Sequence, residues 1–463
     1  MNAIRNVLLG LALLAAPGAA SAQPYDVPPT WGGDFWDRPR LTGSWWGLRD
    51  ELGKKGVVFD VDVLLTPQGV LSGGKDTGWD FWGNADYTIN IDTGKLGLWP
   101  GGFFKFYADT SFGDSVSPRT GALIPVNTWL LFPRGDEQPT SGLMNATFMQ
   151  FLSTKFGLVA GKIFTADGFA GEFAGDLRQQ FMNTGLSFPM AAALVPLSAY
   201  GGGAIVLPWE GATFSLMALD PSGTATNNDI SEAFDDGVSL LASGKVTIKP
   251  FGLVGHQSVG GMWSNKSRLS LIQDPSNLAR LLIDERFPRL GDPGPILRRI
   301  LERFFPQLLV PTRPANREDD TWLVFYGFDQ YFWHPGGDQK RGIGMFFNFG
   351  ASDGKANPVK YSYNMGIGGK GVVPGRPHDT FGVGWARTEL SNNFLPFLRQ
   401  ALDLGLDRED AVEMFYNAQL TRWLNMSLDL QVIDPALKKA LGSSGLRNVD
   451  TAVVGGVRMY VRF

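Results

Sequence analysis

From Val57 to Phe463 the chain alternates apolar and polar residues at period two, in roughly sixteen segments of about ten residues each. Residues 79–92 show it most plainly. Trp79, Phe81, Ala85, Tyr87, Ile89 and Ile91 share one face, while Asp80, Trp82, Asn84, Asp86, Thr88, Asn90 and Asp92 share the other. The next segment sets Phe104, Phe106, Ala108 and Phe112 against Lys105, Tyr107, Asp109 and Ser111. Trp322, Val324, Tyr326, Phe328 and Phe332 alternate with a mixed face that holds Asp329 and Tyr331. Leu424, Met426, Leu428, Leu430 and Val432 alternate with Asn425, Ser427, Asp429 and Gln431. A basic residue on a lipid-facing strand position costs about 2–4 kcal/mol at the bilayer midplane, so an apolar face free of charge has a physical reason to exist.

The gaps between segments sort by parity. Those at 93–101, 154–156, 208–211, 249–250, 334–340 and 422 are brief, and between them lie 114–143, 165–199, 220–236, 264–320, 389–410 and 434–449. A closed up-and-down barrel in a membrane carries short turns on one rim and elaborated loops on the other. The pattern therefore predicts an all-β, transmembrane, antiparallel barrel of about sixteen strands, with short periplasmic turns and long extracellular loops. Aromatic residues at strand ends, such as Trp79, Trp322, Phe332 and Trp423, match interfacial girdles. The last segment, 450–463, would leave an open edge in a soluble protein, and closure on the first strand removes it.

Composition narrows the function. Among 463 residues there are 59 Gly, 33 Phe, 14 Trp and 10 Tyr, yet mean hydropathy is only −0.05, as strict alternation requires. Lys and Arg number 41 against 45 Asp and Glu, a formal net charge of −4 that gives no electrostatic case for nucleic acid. There is no cysteine, which removes zinc ribbons, redox pairs and thiol nucleophiles. Residues 1–22 read as a signal peptide: Arg5, an apolar run from Val7 to Ala16, then Ala20-Ser21-Ala22. That run is too short to cross a bilayer as a helix. The expected division is a signal peptide 1–22, a periplasmic segment 23–56 with a short helix, and a barrel 57–463.

Several stretches resemble the carbohydrate-selective (OprB-type) porins of bacterial outer membranes. They are Leu41-Thr42-Gly43, Gly47-Leu48-Arg49, Gly56-Val57, Gly161-Lys162-Ile163, Phe181-Met182-Asn183, Gln431 to Pro435, and Gly455-Gly456-Val457-Arg458 through Phe463. The resemblance implies passive diffusion of sugars through a sixteen-stranded barrel whose constriction is lined by charged and aromatic groups. It also implies a short helix before the first strand, for which residues 45–54 are the candidate. Outer-membrane lipid and lipopolysaccharide would surround it, and a homotrimer is the analogous assembly. One departure is the length of 264–320, where Leu278, Leu281, Leu282 and then Ile296, Leu297, Ile300, Leu301, Phe304 and Phe305 follow a helical period. That segment is expected to cap the outer mouth.

A sugar offers hydroxyls to charged groups and apolar C–H faces to aromatic rings, and conduction demands that each contact be weak. Strand parity points Asp80, Trp82, Asn84, Asp86, Lys105, Tyr107, Asp109, Lys162, Asp329, Glu413, Asn417, Asp429, Gln431 and Arg458 into the lumen. The segment after Lys162 adds Asp167, Phe169, Phe173, Arg178, Phe181 and Asn183 as constriction candidates. Any one of these can equally serve as plain wall solvation. Gly69 to Lys75 reads GxxxxGK, but Asp76 stands where Ser or Thr would hold magnesium, and no helix follows. Gly366 to Gly371 reads GxGxxG inside a strand pattern. His256, His334 and His378 are scattered, so neither a metal, a cofactor nor an enzyme activity is expected. Two alternatives stay open: a general or organic-acid-selective porin, and a secreted glycan-binding or glycoside-hydrolysing β-protein, the latter suggested by carboxylates such as Asp60 and Asp62.

Overall fold

A computed structural model describes residues 25, 27–133, 135, 138–273, 315–394, 396, 399, 403–442 and 445–463. Alternation at period two forms β1 (Val57–Gly74), β2 (Gly78–Asp92), β3 (Gly102–Gly113), β4 (Thr140–Ser153), β5 (Phe156–Phe164), β6 (Ser198–Val206), β7 (Ala212–Leu219), β8 (Ser239–Ile248) and β9 (Gly255–Ser264). A separate two-stranded sheet, β10 (Arg268–Leu269) with β11 (Arg317–Glu318), follows in the chain outside the wall. The wall resumes with β12 (Thr321–Trp333), β13 (Gly342–Ser352), β14 (Val359–Lys370), β15 (Thr380–Leu390), β16 (Arg408–Thr421) and β17 (Leu424–Asp434). After the hairpin β18 (Lys439–Gly442) and β19 (Gly445–Asn448) comes β20 (Asp450–Arg462). Among the described residues the sixteen long strands close into one antiparallel barrel, each paired with its neighbour and β20 returning to β1.

Closure leaves no edge to aggregate and satisfies the backbone where lipid cannot. The lipid-facing register is the apolar one: Trp79, Phe81, Tyr87 and Ile89 are exposed on β2, while Trp82, Asn84 and Asp86 on the same strand are buried inside. Connections after even-placed wall strands stay short, at 93–101, 154–155, 207–211, 249–254, 334–341, 371–379 and 422–423. The other rim carries 114–139, 165–197, 220–238, 265–320, 391–407 and 435–449, but also two tight links, 75–77 and 353–358. Residues 274–314, on which the helical-period patches fall, lie outside the described residues, as do residues 1–24 with the signal-peptide motif.

The lumen is not an empty tube. Connections 114–139 and 165–197 fold into it and build two aromatic clusters. The first joins Trp82, Tyr107, Trp129, Phe132, Met144 and Phe164, and the second joins Phe173, Phe181, Leu186, Tyr331, Phe346 and Phe415. The wall makes room with glycine: a Cβ at Gly344 or Gly368 would stand 2.4 or 2.7 Å from the Phe173 ring. Before β1, the helix α1 (Leu48–Lys54) is shorter than the sequence suggests. Trp45, Trp46 and Gly47 instead take left-handed backbone, at φ 52°, 55° and 93°.

Candidate functional site

Connection 165–197 is fastened to the wall by side chains that strand alternation turns inward. The Glu413 carboxylate on β16 accepts the backbone N–H groups of Met182 (2.6 Å) and Asn183 (2.8 Å). Asn183 donates its side-chain amide to Gln431 (3.1 Å), and Gln431 donates to the Val126 carbonyl (2.9 Å) of the other inward connection. Asp429 accepts from Gln431 at 2.9 Å. Arg458 on β20 donates to the carbonyls of Leu177 (2.8 Å) and Gln180. Asn364 on β14 donates to the Gly185 carbonyl at 2.8 Å. Asp329 on β12 accepts the Glu172 N–H (3.2 Å) and lies 2.6 Å from His256 Nδ1.

Many expected lumen residues are therefore covered by the connections they hold. Asn84, which donates to the Phe132 carbonyl at 2.6 Å, is fully buried, as are Glu413, Asn417, Gln431 and Arg458. Asn417 is spent on Ser427 and Asn425. Trp82 donates to Asn84, and Asp109 accepts from Asn84. Lys162 is sealed under connection 220–238, donating to the Asn227 carbonyl (2.7 Å) and to Asn228 Oδ1 (2.6 Å). Phe173 packs on Tyr331, and Phe181 packs on Phe346 and Phe415. Asp80 sits near the long-loop rim, bound by Arg119 at 2.6 Å.

What remains uncovered is a charged margin along connection 165–197. Lys105 on β3 and Asp167 form an exposed ion pair at 2.7 Å. Tyr107, the next inward position on β3, donates to Asp86 at 2.9 Å. Arg178 reaches from the connection to pair with Asp86, stands 3.8 Å from Asp62, and lies 5.0 Å over the Trp129 ring. Its side chain keeps 30% exposure, so it is the cation the lumen presents between two aspartates of β1 and β2. Burial pulls the Arg178 pKa down, but Asp86, the nearby phenols and Asp62 more than reverse this, so the guanidinium stays charged. Lys245 donates to the Ala170 carbonyl at 3.0 Å. Beside it Phe169, half-buried, packs on Phe188 and Phe325.

Strand parity did not single out Trp129, Tyr460, Lys245, Glu172 or Lys370. Glu172 is held by Tyr331 (2.7 Å) and Lys370 (3.0 Å). The inward fold of 114–139 had a signal: Leu123, Ile124, Val126, Trp129, Leu130, Leu131 and Phe132 are too apolar for a solvated loop. Among the described residues no group of His, Cys, Asp or Glu is arranged to hold a metal ion.

The comparisons agree with this geometry. The model of the family described as carbohydrate-selective porin, OprB family, matches residues 81–463. Porin B of Pseudomonas aeruginosa is 27% identical over 140 residues, covering 27% of this chain and 29% of that protein. The chain thus spans under a third of that curated relative in alignment. The high-pH structure of Pseudomonas putida OprB superposes with TM-score 0.74 at 20% identity, over 93% of this chain and 100% of that one. The low-pH structure gives TM-score 0.55 at 17% identity, over 92% and 99%. These two likenesses concern the fold, a closed sixteen-stranded barrel, and the family match covers most of the wall. The chain belongs to the OprB family of carbohydrate-selective porins, channels of the bacterial outer membrane rather than enzymes.

Proposed function

We propose that the chain lets sugars diffuse passively across the outer membrane, along the polar margin that connection 165–197 leaves open. The observation that carries this reading is Arg178, half-buried and charged inside the barrel between Asp62 and Asp86. With Lys105, Asp167 and Lys245 it offers alternating donors and acceptors to hydroxyls, and half-buried Phe169 offers a ring to a C–H face. Each contact is already partnered within the protein, so a passing solute exchanges hydrogen bonds rather than gaining them outright, which keeps residence short. Asp86, with Tyr107 donating to it, holds Arg178 at this margin, Asp329 accepts from Glu172 of the same connection, and the other covered residues hold the connections behind it.

On this reading the short-turn rim and α1 face the periplasm and the long connections face outward. Residues 1–22 direct export. Lipid and lipopolysaccharide surround the apolar belt, and three copies would associate as in other porins of this size. The test is single-channel recording in planar bilayers with a panel of mono- and oligosaccharides. Reversible reduction of current by at least one sugar is expected. A channel that no sugar blocks, but that organic acids do, would replace the sugar reading with the organic-acid one.

A further inference from the structure

The short-turn rim holds a feature the permeation path does not use. Ser44 to Leu48 make a left-handed turn in which Gly47 N–H and Arg49 N–H both donate to the Ser44 carbonyl, at 3.0 Å each, and Leu48 N–H donates to the Trp45 carbonyl at 3.2 Å. Two of its three left-handed residues are tryptophans, for which the Cβ makes this backbone unfavourable. A strained turn persists where its surroundings hold it. Its base is held firmly: Arg49, which follows the turn, donates to the carbonyls of Phe59 (2.7 Å) and Phe463 (3.0 Å), pairs with Asp60 (2.8 Å), and lies over the rings of Trp31 and Trp45. Leu41 N–H donates to the Arg462 carbonyl at 2.7 Å. The turn is thereby pinned across the seam between β1 and β20.

The turn leaves Trp46 104% exposed, with Leu48 at 54%. The residue before Trp46 marks where the turn sits. Trp45 packs at 6.0 Å on Phe59, and Phe59 pairs with Ile89 in the lipid-facing register of β1 and β2. The turn is thus continuous with the apolar belt at its short-turn end. Indole rings prefer the bilayer–water interface, where an apolar body and a polar N–H are both satisfied.

We infer that Trp46, with Leu48, is a membrane-surface anchor that seats the segment before β1 in the headgroup region of the periplasmic leaflet. The inference rests on the barrel spanning a bilayer. The cysteine-free chain allows a direct test. Trp46→Cys, Leu48→Cys, Phe59→Cys and Lys340→Cys are each labelled with an environment-sensitive fluorophore in nanodiscs. Quenching is then compared between brominated phosphatidylcholine and aqueous iodide. Probes at 46 and 48 should lose fluorescence to brominated lipid as the probe at 59 does, and resist iodide, while the probe at Lys340, exposed on a short turn, does the reverse. Adding Trp46→Ala to the Leu48→Cys chain should raise its iodide quenching severalfold. Iodide quenching at 46 and 48 equal to that at 340 overturns the anchor, as does oxidative cross-linking of Trp46→Cys into dimers without lipid quenching, which would assign the surface to a second copy. Absence of lipid quenching at 59 would instead overturn the bilayer reading itself.

Discussion

Replacing Glu413 by Ala removes the acceptor of two backbone N–H groups, those of Met182 and Asn183, inside a covered site. A buried donor left unpaired costs about 1–3 kcal/mol, so two cost about 2–6 kcal/mol if neither finds a new partner. The Arg458 bond to Leu177, the Asn364 bond to Gly185 and the Asn183 bond to Gln431 remain, so the connection should detach at one point rather than leave the lumen. Even the lower figure raises the population of the detached form about thirtyfold. Glu413→Gln keeps one acceptor oxygen and should show about half the loss. Hydrogen–deuterium exchange at residues 181–183 and single-channel conductance with its current noise are the assays. Faster exchange, noisier current and larger conductance are expected in the order Gln then Ala, with assembly unimpaired because Glu413 faces inward. Unchanged exchange and conductance in Glu413→Ala would refute the reasoning that the carboxylate holds the constriction.

Ile89→Arg places a charge on the lipid face toward its short-turn end and should reduce assembled protein, at a cost between the midplane figure of about 2–4 kcal/mol and the interfacial one of about 0–1 kcal/mol; Thr88→Arg, one position earlier and facing the lumen, should assemble normally and change conductance, and equal assembly of both would contradict the strand orientation. Arg178→Ala leaves Asp86 and Asp62 without their cation; reversal potentials in a salt gradient should shift toward cation selectivity, and no shift would remove Arg178 from the ion path. Glu172 has its pKa lowered, because Lys370, the Tyr331 hydroxyl and His256 outweigh the upward push of burial. Its contribution is therefore complete above the ordinary value of 4.5 and is lost as pH falls through the depressed one. Current noise from residues 170–175 should rise in acid for the wild-type chain and be independent of acid in Glu172→Gln.

The wall was legible in the sequence because each strand answers to one local rule: a residue faces lipid or it does not, and its neighbour does the opposite. Ile89 and Asp86 can be assigned sides with no knowledge of the rest of the chain. The tight links 75–77 and 353–358 were hidden because they join strands on the rim where length was the marker. The lumen obeys no such local rule. Whether Asn84 meets solute or the Phe132 carbonyl depends on a connection almost fifty residues away. The glycines of Gly366 to Gly371 look like a chance motif until Phe173 and Phe346 arrive in front of them, each within 3 Å of a Cβ that glycine omits. Left-handed Trp45 and Trp46 could not be read either, since propensity favours a helix there.

A consequence for selectivity follows from the same asymmetry. Because most inward polar groups are consumed in holding connections, the path is defined less by the wall than by the surface of 165–197. That surface carries Asp167, Phe169, Lys245's acceptor at Ala170, and Arg178 within one short stretch. Substitutions there alter what the solute meets without touching the strands that assembly requires. Substitutions at Glu413, Gln431 or Arg458 instead release the connection at one point behind the margin, widening the passage while leaving its chemistry intact. The two classes should therefore separate experimentally. Asp167→Asn should change sugar block at nearly constant conductance, and Arg458→Met should raise conductance for every solute alike. If Arg458→Met altered the rank order of sugars while conductance stayed fixed, the wall residue would be part of the contact surface, and the division between holding and contacting groups would fail.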